Sequence, residues 1–317
     1  MTTARGPLTE ERGRLIGSHE NRRLFEYVFE AALPRELAPR PYFHPVCSPA
    51  GVRLTDHQPG DHRWHLGLAY SWPVVDQWNF WGGPTFVRDR GYVDLDNHGA
   101  IRHLAWDHPT ESPTSREPRP GRLDGRHEHL EWLDRHGSRI VLEDRLIRGP
   151  EVDPCEGAWW LELETDIENT GERDLRIGSP TTEGRPFAGY AGLAWRGPDE
   201  LRHARVLFDG SQSCGEAMGR HSHWLGYVGG GVTVAFFEHP ANPRVPNRWF
   251  VRTEEYPLVA SSPVFDTALH LAPFERLRLR HRLLFADGEW NAERLADASA
   301  YAWAAHTLDE GPLRRGH

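Results

Sequence analysis

Two stretches of the chain alternate apolar and polar residues one for one. Over 159–167, Trp159, Leu161, Leu163, Thr165 and Ile167 fall on one side, and Glu162, Glu164 and Asp166 on the other. Over 276–285, Leu277, Leu279, His281, Leu283 and Phe285 alternate with Arg276, Arg278, Arg280 and Arg282. Successive side chains of a strand point to opposite faces, so each stretch predicts a half-buried antiparallel strand. The aromatic and β-branched run Leu24-Phe25-Glu26-Tyr27-Val28-Phe29 predicts another. Asn169-Thr170-Gly171 and Arg135-His136-Gly137-Ser138 sit between strand pairs as hairpin connections, and Gly229-Gly230-Gly231 leads into Val232-Thr233-Val234. Helical spacing shows only near the end, where Asn291 caps a run with Leu295, Ala298, Tyr301 and Ala302 at intervals of three and four. The pattern predicts an all-β protein, a large antiparallel β-sandwich with a C-terminal helix. One domain is expected over 21–307, with 1–20 and 308–317 as flexible tails and a long loop over 107–126.

Composition narrows the chemistry. All 37 basic residues are arginine, which excludes a lysine Schiff base, a P-loop lysine and pyridoxal attachment. Arginine keeps its charge, so a cationic site here is a fixed clamp rather than a titrating base. Forty-six acidic residues leave a net charge of −9, which argues against nucleic acid or an anionic membrane as partner. No run of about 18 apolar residues exists, so no spanning helix is expected. Three scattered cysteines and an N-terminus without an apolar stretch predict a cytoplasmic protein without a disulfide framework.

Three constellations could carry chemistry. The densest joins Tyr42-Phe43-His44-Pro45, Asp61-His62-Arg63-Trp64-His65 and Asn79-Phe80-Trp81-Gly82-Gly83-Pro84. An imidazole near its free pKa serves as acid, base or neutral metal ligand. His62 and His65, three apart, converge in a loop or helical turn but diverge on a strand. The second is Thr181-Thr182-Glu183-Gly184-Arg185, in which Glu183 could act as acid or base and Arg185 as orienter. For an arbitrary Glu-Gly-Arg, a surface ion pair on a Gly-rich turn is the commoner explanation. The third runs from Glu238-His239-Pro240-Ala241-Asn242 through Arg244 to Trp249-Phe250-Val251-Arg252, a proline-stiffened loop presenting polar groups to a ligand or merely joining two sheets. Weaker is Gly121-x5-His127-x-His129, which has the spacing of a cupin metal motif but lacks its downstream Glu. His221-Ser222-His223 shares the spacing and fits a polar loop. Nucleotide, serine-hydrolase and zincin signatures do not occur.

In these constellations the chain resembles a bacterial family of unknown function whose members carry the label methane oxygenase PmoA. The matching segments are Pro41–Pro45, Asp61–Leu68, Asn79–Pro84, Gly184–Arg196 and His239–Arg252, in that order, and the resemblance spans roughly residues 40–290. Trp64 and Leu66 stand where that family usually has His and Arg. The label names a membrane enzyme, whereas this chain has no apolar stretch to span a bilayer. The resemblance implies a supersandwich of galactose-mutarotase type and a small-molecule carbohydrate as partner.

Three functions follow as expectations. The first is a carbohydrate-active lyase, hydrolase or epimerase acting on a sugar or oxidised sugar. Its catalytic residues would be His62, His65 and Glu183. His44, Asn79, Trp81, Arg185, His239, Asn242 and Arg252 would bind substrate, and no cofactor is required. The second is a non-catalytic carbohydrate-binding or sensing protein. The third is a metal-dependent oxygenase or hydrolase, with a divalent metal held by His44, His62 and His65.

Overall fold

The computed structural model describes residues 4–107, 125–210 and 217–304. Among them, two antiparallel sheets face one another. The nine-stranded sheet runs in the order Ala100–Trp106, Arg126–Leu133, Arg139–Asp153, Ala158–Asn169, Arg276–Asp287, Val232–Glu238, Trp224–Gly229 and Arg205–Phe208, with Ala4–Arg5 pairing on Arg139–Asp153. The eleven-stranded sheet follows Arg248–Arg252, Leu258–Ser262, Gly192–Arg196, Leu68–Val75, Tyr42–Val46, Arg22–Val28, Arg14–His19 and Leu8–Glu11, with three short strands branching from it. A separate hairpin, Thr85–Val87 with Gly91–Val93, stands apart from both.

One hydrophobic cluster fills the space between the sheets and draws on both. Phe25 stacks on Trp159 with centroids 5.8 Å apart, and Trp72 meets Trp132 at 6.2 Å, each contact crossing from one sheet to the other. The two alternating stretches lie where the sequence placed them. They pair with one another, Trp159 opposite Phe285 and Ile167 opposite Leu277, and their apolar faces turn inward. Polar groups also bridge the interior. The Tyr70 hydroxyl lies 3.0 Å from Nδ1 of His281, whose Nε2 lies 3.1 Å from Ser261 Oγ, and Ser261 donates to the buried Glu238.

The C-terminal helix, Ala292–Ala304, packs Leu295, Ala298 and Ala302 on the outer side of the nine-stranded sheet, against Trp160, Trp224 and Phe237. Asn291 caps it as expected, its Oδ1 accepting the Arg294 N–H at 2.9 Å. No helix among the described residues is long and apolar enough to cross a membrane.

Two expectations change. Residues 1–20 are not a free tail: Leu8–Glu11 and Arg14–His19 are edge strands, and Leu15 and Ile16 are buried. Two apolar residues suffice because Gly17 lies flat against the Phe25 ring, where a Cβ would come within 2.2 Å. The turn at Asn169–Gly171 is not a hairpin either. Its next strand, Leu175–Gly178, pairs in the other sheet, so the turn is a crossing between layers. The segment 308–317 and nearly all of the expected 107–126 loop lie outside the described residues.

Candidate functional site

Alternation along the eleven-stranded sheet sends Leu193, Trp195, Trp249 and Val251 into the core and leaves Ala194, Arg196, Phe250 and Arg252 on the outer face. Loops fold over this face and line it with rings. Trp81 packs on Tyr190 at 4.6 Å, Tyr190 meets Phe250 edge-on at 5.3 Å, and Tyr256 closes the basin from the loop before Leu258. His62 and His65 occupy a tight turn, the His65 N–H donating to the His62 carbonyl at 2.9 Å. Their rings stack nearly parallel, 4.7 Å apart and inclined by 8°, and both touch Tyr256. The spacing of three thus converges in a turn.

The polar groups have defined states. Nδ1 of His62 lies 2.9 Å from Asp61 and donates there, so in the neutral tautomer Nε2 is the nitrogen with the lone pair. Arg196 is buried, donates to both Asp61 oxygens at 3.3 Å, and lies 4.5 Å over the Tyr256 ring. Burial raises the Asp61 carboxyl, but the His62 hydrogen bond and Arg196 outweigh it, and its pKa ends below the usual range. His65 is held neutral, far below the ordinary imidazole value, by burial first and then by His62, Arg196 and Arg40. Arg40 is itself buried and meets no carboxylate. It donates to Ser71 Oγ and to the carbonyls of Leu37, Ala38 and Trp64, and burial pulls its pKa down to about 9.

Trp64 forms one wall. Gly82 and Gly83 adopt φ of +95° and +65°, and a Cβ on Gly83 would lie 2.4 Å from the Trp64 ring. Asn79 shapes this turn: its Oδ1 accepts the Trp81 and Gly82 N–H groups, and its Nδ2 donates to the Gly83 carbonyl. Trp64 also lines a cleft of about 690 Å³, together with Asp61, Glu36 and Asp94.

Of the ten residues expected to form the site, the fold brings together His62, His65, Trp81 and Arg252, the last with its guanidinium 5.5 Å from the Phe250 ring. Arg185 joins at the rim, stacked over Tyr92, whose hydroxyl meets that of Tyr190 at 2.8 Å. The other five serve elsewhere. Asn79 is consumed by its turn. Glu183 is held by Arg176 at 2.5 Å and by Thr182, which ties up the proposed acid. His44 stacks on His57 and bonds Thr55, and burial lowers its pKa to about 4. His239 packs edge-on against Trp303 of the helix and meets Arg280, while Asn242 clamps the Arg280 backbone. The His239–Asn242 end of the third constellation therefore fastens a loop to the nine-stranded sheet. None of the ten lines the cleft.

The three-histidine metal reading also changes, because the His44 ring contacts are with His57 rather than the His62–His65 pair. Among the described residues no group of three or more His, Cys, Asp or Glu is placed to hold a metal ion. In the cupin-like segment, His129 bridges Asp144 at 2.7 Å and Asp107 at 2.6 Å, and its pKa rises to about 9, chiefly through the Asp144 hydrogen bond. It is a charged link, not a neutral ligand. Sequence reasoning missed Arg196 and Tyr256. The first left a signal, a charge in phase with Ala194 on an otherwise apolar strand; the second, on a loop, left none.

None of the curated proteins matches the chain. Among solved structures, an α-galactosidase from Lactobacillus brevis is similar at 9% identity and a TM-score of 0.40, over 91% of this chain and 39% of its own. A GH36 α-galactosidase from Geobacillus stearothermophilus is similar at 9% identity and 0.36, over 91% and 41%. The chain thus spans about two fifths of those structures, at a distance that transfers no function. A family match covers residues 17–300, and the chain belongs to that family, the family of unknown function DUF6807.

Proposed function

We propose that the protein binds a carbohydrate in the basin on the outer face of the eleven-stranded sheet and moves a proton on it, with Nε2 of His62 as the acid–base atom. The observation that carries this reading is the Asp61–His62 pair set among aromatic rings. A carboxylate on Nδ1 fixes the tautomer and supports the imidazolium that forms when Nε2 takes a proton. Tyr256 and Trp64, both only partly buried, offer apolar surface for the C–H side of a pyranose, Arg252 supplies donors for its oxygens, and the buried Trp81 and Arg196 hold these groups in place. The resemblance to the PmoA-labelled proteins, with the sugar role it implies, agrees.

The electrostatics favour proton abstraction and return, as in epimerisation or elimination, over glycosidic cleavage. Hydrolysis of the usual kind needs a carboxylic acid that keeps its proton near neutrality. Asp61 is shifted the wrong way for that, and the rim carboxylates Glu255 and Asp199 face Arg252 and Arg196.

Incubation with a panel of aldoses, uronates and 3-keto glycosides in D2O, followed by NMR, tests the reading. A sugar C–H should exchange for deuterium with the wild type and not with His62→Ala. Binding without exchange or product would leave a recognition module, and a panel with no bound sugar would sink the proposal.

A further inference from the structure

The cleft beside Trp64 holds none of the ten expected site residues, yet Asp61, Arg63, Trp64, Gly83 and Pro84 of the first constellation line it, so it abuts the basin. Its volume of about 690 Å³ is that of an ordinary small-molecule site, such sites spanning roughly 300–1,000 Å³. Trp64 and Asp61 belong to both spaces: the Trp64 ring is edge-on to His62 at 5.2 Å and also lines the cleft, and Asp61 lines the cleft while bonding His62. The indole cannot swing aside cheaply, because Gly82 and Gly83 press against it and Arg40 holds its carbonyl. It is a fixed partition.

The charges select the occupant. Four carboxylates line the cleft, those of Glu36, Asp61, Asp94 and Asp96, against the guanidiniums of Arg35 and Arg63. Arg35 is committed to the carbonyls of His98 and Asp134, and Asp96 to Arg135. Glu36, Arg63 and Asp94 make no ion pair or side-chain hydrogen bond among the described residues. Carboxylates accept hydroxyl hydrogens and repel another anion, so this lining suits an uncharged polyol beside an aromatic wall. We infer that the cleft is a second subsite for a neutral sugar unit. The ligand is then a glycoside or oligosaccharide that passes Trp64, one unit at the histidines and the next in the cleft. This rests on the carbohydrate reading of the basin.

Calorimetric titration separates the two. Methyl glucosides and galactosides are compared with cellobiose, lactose and melibiose on the wild type and on the doubly substituted Glu36→Gln, Asp94→Asn protein. Both changed residues are exposed, which protects the fold. A disaccharide should bind the wild type about tenfold more tightly than its methyl glycoside, a difference worth about 1.4 kcal/mol, and the double variant should lose most of that ratio. Equal affinities for one and two units, or a ratio unmoved by the substitutions, overturns the subsite and spares the basin. A panel in which neither methyl glycosides nor disaccharides bind overturns both.

Discussion

The outer faces of the two sheets solve different problems. On the nine-stranded sheet charge meets charge in register: Glu162, Glu164, Asp166 and Glu168 stand directly opposite Arg282, Arg280, Arg278 and Arg276. Arg278 reaches Asp166 at 2.6 Å and Arg282 reaches Glu151 at 2.7 Å. On the eleven-stranded sheet rings meet rings, one carboxylate is shared by an imidazole and an arginine, and the buried Arg40 meets only a hydroxyl and carbonyls among the described residues. A ladder whose opposite charges face one another in register offers a ligand little net field. On the other face Arg196 and Arg252 each keep a buried Nε without a hydrogen-bond partner among the described residues, beside aromatic rings, and that contrast, more than the abundance of arginine, favours this face for the proposed recognition.

The comparison breaks first at His62. His62→Ala should lower turnover on a converted sugar by about 10²–10⁴-fold with an unchanged denaturation midpoint, as kinetics and urea titration would show. Next comes the partition. Gly83→Ala drives a methyl into the Trp64 ring and should destabilise by roughly 1–3 kcal/mol while weakening sugar binding, both measurable on one preparation.

The His129 bridge gives a pH signature confined to the other sheet. Its folded pKa is raised, so its stabilisation is complete below the unfolded value near 6.5 and disappears as pH rises through about 9. Urea midpoints between pH 6 and 10 should fall for the wild type and flatten for His129→Gln. Because the ring is more than a third exposed, the change is modest. Smallest is Arg278→Ala in the ladder, about 1 kcal/mol or less and fading with added salt. His239→Ala, on the helix side, should leave turnover where it was. A loss there would return the third constellation to the site.

Legibility followed locality. Period-two alternation placed the strands 158–169 and 276–287 and their faces, because each residue's side is set by its neighbours in sequence. It could not say that Arg276–Arg282 would lie against Glu162–Glu168, since pairing is a property of the fold. His62 and His65 were legible as a pair because three residues of turn bring them together. The ion pair of Glu183 was not legible because its partner, Arg176, belongs to the preceding strand and looks like any surface charge. The contacts of His239 and Asn242 were not legible because a loop shaped to clamp a backbone and one shaped to hold a ligand use the same residues.

One interior feature reaches further. Ser261 has a single hydroxyl hydrogen and gives it to Glu238, so it can only accept from Nε2 of His281, and Nδ1 must then accept from Tyr70. The four groups form a one-way row, Tyr70 to His281 to Ser261 to Glu238, that crosses between the sheets three times. Burial keeps the imidazole neutral, with a pKa near 3, and raises the Glu238 carboxyl. A row with one direction admits a single tautomer and a single alignment of the layers, so shear between the sheets must break every link together. The platform beneath the basin is therefore pinned like a keyed joint, and its geometry is inherited from a chain of protons that no ligand ever touches.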